Sequence, residues 1–384
     1  MTTTVPMLDL TREYADIAAQ VQQVWAASLG EMHLLNGPQA AAFERDIAAY
    51  LGVTHARGTS SGTDALVLAL AGLGIGAGDR VILPANAFVA ALEAVHFVGA
   101  TPVLVDAEAD GFGPDLAAIE PALPARAVLV VHLYGAPLAL DGLAALCAQR
   151  GTHLVEDCSH AHGARRAGRF AGSIGIVGCF SAGVVKNLAA YGDAGFITTN
   201  DAALADEIGL LQRHGQRGKN QHLRYGWNYR LDELQAAVLR IKLPRLEARN
   251  QRRRAIADCY TERLAPLGVH PPRVAPDEVP VYHQYVVRTP QRDQLQAHLK
   301  SAGVETGIHY PVPLHRQPAW VRAYGEAGSF PHAERLAGEV LSLPVFPDLT
   351  DAEVERVAAG VESFFRGAVQ PRPATAAVAA RARL

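Results

Sequence analysis

The sequence predicts an α/β fold, with a mainly parallel sheet in a large domain and a smaller α+β domain at the C-terminal end. Between about Ala56 and Asn200, short apolar runs of strand length alternate with longer segments that have apolar residues at helical spacing. Strands that are apolar on both faces are typical of parallel sheets covered by helices. Their alternation with helices indicates successive βαβ units.

Six apolar runs are the predicted strands of the large domain: Arg80–Leu83, Pro102–Val105, Ala127–Leu133, His153–Val155, Val177–Phe180 and Phe196–Thr199. Before the first of them, the spacing of Leu66, Leu70 and Leu73 predicts a helix. Helical texture then dominates residues 202–264, and we interpret the long Arg-rich helix there as the bridge to the second domain. Later, residues 282–288 are strand-like, and residues 351–365 form a last amphipathic helix.

These elements divide the chain into four parts. Residues 1–30 form an N-terminal arm and helix that we expect to pack on the small domain. Residues 31–246 form the large domain, and residues 247–366 form the small C-terminal domain. Residues 367–384, mostly Ala, Val, Pro and Arg without acidic side chains, are expected to be a mobile tail.

Composition excludes several classes of function. The 35 basic and 38 acidic side chains give a net charge of −3, which argues against a nucleic-acid-binding protein. No segment approaches the roughly 20 apolar residues of a membrane helix, and residues 1–8 lack the pattern of a signal peptide. The four cysteines show no CxxC or zinc spacing, and no HExxH occurs, so we expect a cytoplasmic protein without a metal site.

The first chemical motif is Ser60-Ser61-Gly62-Thr63-Asp64-Ala65, at the start of the predicted helix. Small residues at a helix N-terminus leave N–H groups free to bind phosphate at the positive end of the helix dipole. Ordinary helix capping by Ser or Thr explains the same residues. The glycine patterns of dinucleotide and P-loop sites do not occur.

The second motif ends a predicted strand with two carboxylates, Glu156 and Asp157. Side chains alternate along a strand, so only one of them faces a given site. α/β sheets bind ligands at the carboxyl ends of their strands, and a carboxylate there can pair with a protonated ring nitrogen. A capping or turn role explains an acid at this position equally well.

The third motif places one lysine, Lys186, in a loop between the apolar strand that ends near Phe180 and the Gly-rich turn Tyr191–Gly195. Flanking Val184, Val185 and Leu188 can remove water from the amine, which lowers its pKa and leaves it nucleophilic. Taken alone, a single lysine is more often a solvated surface residue.

Together, the three motifs resemble those of the DegT/DnrJ/EryC1/StrS family of sugar aminotransferases. The resemblance covers nearly the whole chain except the tail. Its specific blocks are Ser61–Leu66, Glu156–Ala164, Lys186–Gly195 and Asn228–Gln235. It implies the fold of type I enzymes dependent on pyridoxal 5′-phosphate (PLP), with a seven-stranded sheet, and a homodimer with shared active sites. PLP, with pyridoxamine phosphate as its aminated form, is the implied cofactor.

The resemblance also implies roles for individual residues. Lys186 would bind PLP covalently and transfer protons, and Asp157 would pair with the ring nitrogen. The remaining implied cofactor contacts are Gly62, Thr63 and Ser181 to the phosphate, Phe88 stacked on the ring, His160 at the ring oxygen, and Asn228 reaching the phosphate of the neighbouring subunit. His160 departs from the usual Gln of the family, so its protonation matters. The small residues Ala182–Val185 also depart from the family pattern.

The segment His309–Trp320 resembles that of relatives that aminate C3 of nucleotide-linked keto sugars. The implied substrates are therefore glutamate and a nucleotide-linked keto-deoxysugar, dTDP-linked by preference. Amination at C4 and amination of a cyclitol ketone remain alternatives, as do a dehydratase and a non-catalytic regulator. Dehydratases of the family carry His in place of the lysine. Candidate substrate contacts are Arg230, His309, Tyr310 and His315.

Overall fold

The computed structural model describes residues 4–368, so the expected tail lies outside the described residues from 369 onward. Its strands are β1 His55–Thr59, β2 Arg80–Pro84, β3 Thr101–Val105, β4 Ala127–Val131, β5 His153–Asp157, β6 Arg165–Arg166, β7 Arg169–Phe170, β8 Val177–Ser181, β9 Gly195–Thr199, β10 Glu278–Val279, β11 Tyr285–Arg288 and β12 Val340–Leu343. Its helices are α1 Leu10–Gly30, α2 Pro38–Leu51, α3 Gly62–Gly72, α4 Val89–Phe97, α5 Ile119–Ala122, α6 Asp141–Arg150, α7 Ala202–Leu211, α8 Glu233–Lys242, α9 Leu246–Leu264, α10 Arg292–Ser301, α11 Pro318–Tyr324, α12 Pro331–Glu339 and α13 Asp351–Ala368.

The large sheet has seven strands in the order β1-β9-β8-β5-β4-β2-β3. Only β9 runs against the others, since it pairs antiparallel with both β1 and β8. Buried apolar clusters cover both faces of the sheet, as expected for continuous apolar strands. The predicted mainly parallel α/β sheet is confirmed. Its central strands β5 and β8 are parallel neighbours, with Asp157 opposite Cys179, so their carboxyl ends meet at one edge.

The C-terminal part packs helices α9, α10 and α13 around the antiparallel strand pair β11 and β12. The arginines of α9 attach this helix to the segment before α13: Arg249 pairs with Asp348 at 2.7 Å. Arg253 is buried and donates to the carbonyls of Tyr282 and Val345. Burial lowers the pKa of Arg253 to about 9, and the two carbonyls satisfy part of its hydrogen-bonding capacity.

The N-terminal segment divides its contacts between the two parts of the molecule. Val5 pairs in parallel with Val304, and Arg12 forms a two-pronged ion pair with Glu353 at 2.7 Å, so residues 4–12 lie on the C-terminal part. The rest of α1 packs instead along α8, where Ile17 and Val21 are buried against Val238. No helix within residues 4–368 is both long and apolar enough to cross a bilayer.

Candidate active site

Lys186 and Asp157 lie within electrostatic reach of each other at the carboxyl edge of the large sheet. Asp157 ends β5 and is 5% exposed, and the amide of Ser159 donates to its Oδ1 at 3.0 Å. Lys186 is half-buried in the loop after β8. Burial lowers the pKa of Lys186, and the charge of Asp157 opposes that shift. Burial raises the pKa of Asp157, with Ser159 and Lys186 opposing it. The site therefore holds an amine biased towards its neutral, nucleophilic form.

The side chain of Glu156 points to the face of β5 opposite to Asp157. Its carboxylate accepts hydrogen bonds from His132 Nε2 at 2.9 Å and from the amides of Gly172, Ile174 and Gly175 at 2.7–2.9 Å. Burial would raise the pKa of Glu156, but these donors, His132 first, hold it below its usual value. Glu156 and Asp157 thus point to opposite faces of β5, as the sequence predicted. The hydrogen bonds of Glu156 hold the end of the strand that carries Asp157.

The N-terminus of α3 lies beside the end of β8. Ser61 caps the helix and accepts from the amide of Asp64 at 3.1 Å, while the amides of Gly62 and Thr63 have no acceptor among residues 4–368. A Cβ at Gly62 would lie 2.5 Å from the Cβ of Ser181, so only glycine allows this approach. Two free amides, of Gly62 and Thr63, therefore lie beside the Ser181 side chain, and together they are a donor set suited to a phosphate.

His160 is held as a hydrogen-bond donor. The amide of Tyr134 donates to its Nδ1 at 3.2 Å, so the proton of the neutral ring lies on Nε2. Burial, followed by the charge of Lys186, lowers the pKa of His160 well below its usual value. The ring is therefore neutral at physiological pH and presents its Nε2–H to a ligand.

His283 is a site residue that the sequence did not single out. Its ring lies against that of His160, with centroids 4.3 Å apart, and its Nδ1 lies 3.2 Å from Oδ1 of Asn187. Asn187 in turn donates to Asn250 Oδ1 at 3.0 Å. Because Asn187 directly follows Lys186, this chain links the orientation of His160 to the loop that carries the lysine.

We expect His283→Ala to lower the rate of the site's reaction about tenfold, because His160 loses the ring that orients it. His283→Phe keeps a ring of similar area and should retain most of the activity. The measurement is the pH dependence of the cofactor's visible absorbance in each variant, together with kcat. Equal pH profiles for His283→Ala and the native protein would contradict a positioning role.

Phe88, His309 and Tyr310 form one wall of the site. Phe88 is 49% exposed, and its ring centroid lies 5.4 Å from that of Tyr310. Nδ1 of His309 lies 2.8 Å from the hydroxyl of Ser342. Burial, then the charge of Lys186, lowers the pKa of His309 to about 4, which places this side chain within electrostatic reach of the lysine. Burial, then the charge of Asp157, raises the pKa of Tyr310.

The other three predicted site residues, Asn228, Arg230 and His315, contact groups of their own chain other than Lys186. Asn228 is exposed, and its Oδ1 accepts two hydrogen bonds from Arg230 at 2.5 and 3.1 Å. Arg230 also lines a separate cavity of about 160 Å³ together with Arg57 and Arg213. His315 is buried, and its Nε2 is 2.8 Å from Glu334. That contact holds His315 against α12, and its role as a substrate contact stays a prediction.

Comparison with known proteins identifies the architecture around Lys186. The model of the DegT/DnrJ/EryC1/StrS aminotransferase family matches residues 15–362. The chain belongs to this family. Among its relatives, dTDP-3-amino-3,4,6-trideoxy-alpha-D-glucose transaminase of Streptomyces venezuelae is 45% identical over 356 residues, which cover 92% of this chain and 94% of that protein.

One further relative and one solved structure of the DegT/DnrJ/EryC1/StrS family have similar identity to this chain. The erythromycin biosynthesis sensory transduction protein EryC1 of Saccharopolyspora erythraea is 44% identical over 362 residues, covering 94% of this chain and 99% of that protein. The crystal structure of S. venezuelae DesV in complex with a ketimine intermediate superimposes with a TM-score of 0.92 at 44% identity, covering 95% of this chain and 99% of that one.

Proposed function

We propose that this chain is a PLP-dependent aminotransferase that moves an amino group from glutamate to C3 of a dTDP-linked keto-deoxysugar. The observation that carries the proposal is the half-buried Lys186, whose pKa burial lowers, within electrostatic reach of the buried Asp157 at the carboxyl edge of the sheet. Membership of an aminotransferase family supports the reaction. The four cysteines are free thiols, in keeping with the reducing cytoplasm where we place the enzyme.

The residues of the site fit PLP group by group. The amides of Gly62 and Thr63 and the hydroxyl of Ser181 would hold the phosphate, because they lie side by side where a Cβ on Gly62 could not fit. Asp157 would pair with the ring nitrogen. His160 fits the ring oxygen, since its Nε2–H can only donate while Nδ1 accepts from Tyr134.

When bound, PLP supplies an electron sink for negative charge at the carbon that carries the transferred nitrogen. Lys186 provides the amine that anchors the group, and a free amine at its Nζ can accept and return a proton. Asp157 keeps the proton on the ring nitrogen, since an adjacent carboxylate favours the positive charge. Phe88, half-exposed beside Tyr310, would cover a ring face.

The choice of C3 rests on the relative from S. venezuelae, whose name specifies a 3-amino sugar. Incubating the enzyme with glutamate and dTDP-3-keto or dTDP-4-keto deoxysugars is expected to yield an amino sugar from the 3-keto compound at least about tenfold faster. Mass spectrometry and NMR of the product give the carbon. Faster amination of the 4-keto sugar, or of a cyclitol ketone, would replace this substrate and leave the aminotransferase assignment intact.

The second proposal within this function is a homodimer in which Asn228 acts on the partner's phosphate. Its Oδ1 is occupied by Arg230, which leaves the amide N–H₂ free to donate outward. Leu223 and Tyr225 in the same segment are strongly exposed, and Tyr225 is fully so. Exposed large apolar side chains mark surfaces that associate with a partner.

Mixing one inactive and one impaired variant tests this arrangement. Lys186→Ala and Asn228→Ala chains, refolded or exchanged at equal amounts, should regain about one quarter of native activity. Half of the dimers are mixed, and each mixed dimer has one site with both native residues. Asn228→Ala alone is expected to lose roughly tenfold or more, the cost of one hydrogen bond to a charged group. Activity equal to the average of the two homodimers would refute shared sites.

The name of EryC1 suggests a regulatory role, which requires different residues from catalysis. A PLP-binding regulator needs the binding residues but no proton-transferring amine. The lysine present at position 186, with its pKa lowered by burial, favours catalysis.

A further inference from the structure

A second cleft, apart from Lys186, lies between residues 108–116 of the large part and residues 270–278 of the C-terminal part. Its volume is about 790 Å³, within the range of roughly 300–1,000 Å³ of small-molecule sites. Apolar side chains form much of its wall: Phe112, Leu116, Leu133, Leu138, Pro272 and Val274. The cleft has the size and the apolar surface of a binding site, and the proposed amination does not use it.

Arg288 is the unusual residue of this cleft. It ends β11, lines the cleft and is only 8% exposed. Its guanidinium has no ion pair or hydrogen bond to any residue between 4 and 368, and its Nη1 is fully buried without an acceptor. By contrast, the similarly buried Arg253 donates to two carbonyls. Its Cζ lies 6.0 Å from the centroid of the Phe112 ring, a weak contact that does not replace a hydrogen-bond acceptor, so the buried guanidinium favours an anion in the cleft.

The acidic side chains near Arg288 do not form ion pairs with it. Burial lowers the pKa of Arg288, and among the charges that act on it only Glu339 and Asp110 favour the cation. Neither forms an ion pair with Arg288 within 4.0 Å. Among the other charged groups that line the cleft, Arg166 forms ion pairs with Asp277 and Glu278. Arg273 and Glu108 are exposed, and the backbone of His270 pairs with that of Arg288.

We propose that the cleft binds a small organic anion, a carboxylate or phosphate carried on an apolar ring or chain. The anion would pair with Arg288, with Arg273 at the rim as a second cation. The apolar body would lie against Phe112 and Pro272. Arginine suits this role because its planar guanidinium binds either anion through two parallel hydrogen bonds.

The cleft is coupled to the proposed active site through Phe112. The ring of Phe112 lies 5.2 Å from that of Tyr134, centroid to centroid, and the Phe112 carbonyl accepts from Asn86 at 2.7 Å. Tyr134 is the residue whose amide holds His160. An anion that moves Phe112 therefore acts on Tyr134 and, through it, on His160.

Calorimetry and thermal unfolding of the holoenzyme test the site with three probes: benzoate, inorganic phosphate and benzyltrimethylammonium. Benzoate carries an anion on an apolar ring, phosphate is an anion alone, and benzyltrimethylammonium has the same ring with a positive charge and no N–H that could react with the cofactor. We expect benzoate to bind more tightly than phosphate, and benzyltrimethylammonium not to bind. Tighter binding of phosphate would identify a phosphate site, and absence of binding by both anions would overturn the proposal.

Arg288→Met should weaken benzoate binding at least about tenfold and remove its stabilising effect. Without anion, this variant should unfold at the same temperature as the native enzyme or higher, since it removes an unpaired buried charge. Arg322→Met, at an exposed arginine of α11, is the matched control and should bind benzoate normally. Benzoate bound only where glutamate binds would be unaffected by Arg288→Met, and that result would contradict the proposal.

Arg273→Glu supplies a second variant if Arg288→Met fails to fold. Arg273 is exposed at the rim, so charge reversal there leaves the core untouched. It should weaken benzoate binding about threefold to tenfold through repulsion of the anion. Unchanged affinity in a folded Arg273→Glu protein would place the anion away from this cleft.

Discussion

Lys186→Ala is expected to lower the rate of amino transfer by about 10⁴-fold, the upper part of the range for loss of a positioned acid–base group. The amine is removed from a site where burial had already lowered its pKa, and no other lysine lies in that loop. The protein should also lose the visible absorbance of covalently held PLP. Single-turnover assays with glutamate, followed at the wavelength of the native cofactor, measure both effects.

Two variants separate this result from a general loss of charge. Lys186→Arg keeps a cation of similar length but cannot give up its proton at neutral pH, so it should be as inactive as Lys186→Ala. Lys300→Ala, at an exposed position near the end of α10, should be fully active. More than one tenth of native activity in Lys186→Ala would mean that another group moves the proton.

The sequence predicted the carboxyl edge of the large sheet well, because the end of a strand is visible in the local sequence. Continuous apolar runs predicted six strands of the large sheet to within one or two residues, and the carboxyl ends of β5 and β8 led to the candidate site. The remaining strand, β1, was not predicted. Its residues His55–Thr59 are mostly polar or small because it is an edge strand, and its partner β9 supplies the pairing that fixes it.

Long-range contacts explain what the sequence could not reveal. His283 is 123 positions from His160, and no local pattern distinguishes it from other histidines, yet their rings lie in contact. The position of α1 is a similar case. Its amphipathic pattern predicts a buried face, which we expected to lie on the small domain. Ile17 and Val21 instead pack on α8 of the large part, while Arg12 reaches Glu353. Arg288 ends a strand that was predicted, but only the three-dimensional structure shows that its guanidinium has no ion pair within residues 4–368.

Asp157→Asn is the other change with a large expected effect, a loss of about 10³-fold in kcat. The neutral amide cannot hold a proton on the ring nitrogen, so negative charge at the reacting carbon loses its stabilisation. Burial raises the pKa of Asp157 above its usual value in the folded protein. The charged form therefore destabilises the fold above that pKa, and the Asn variant should be at least as stable at neutral pH. Asn can still accept from the amide of Ser159.

The neighbouring carboxylate provides the contrasting variant. Glu156→Gln alters the opposite face of the same strand, where four N–H donors converge on the carboxylate. The amide places its own N–H₂ against at least one of these donors, which should cost about 2–3 kcal/mol of folding free energy. Its melting temperature should therefore fall while kcat stays within about tenfold of native. Asp157→Asn should show the reverse, a normal melting temperature with kcat almost abolished. If both variants lost stability and activity together, Asp157 would be a structural residue like Glu156, because only a group that acts on the reacting atoms can separate the two measurements.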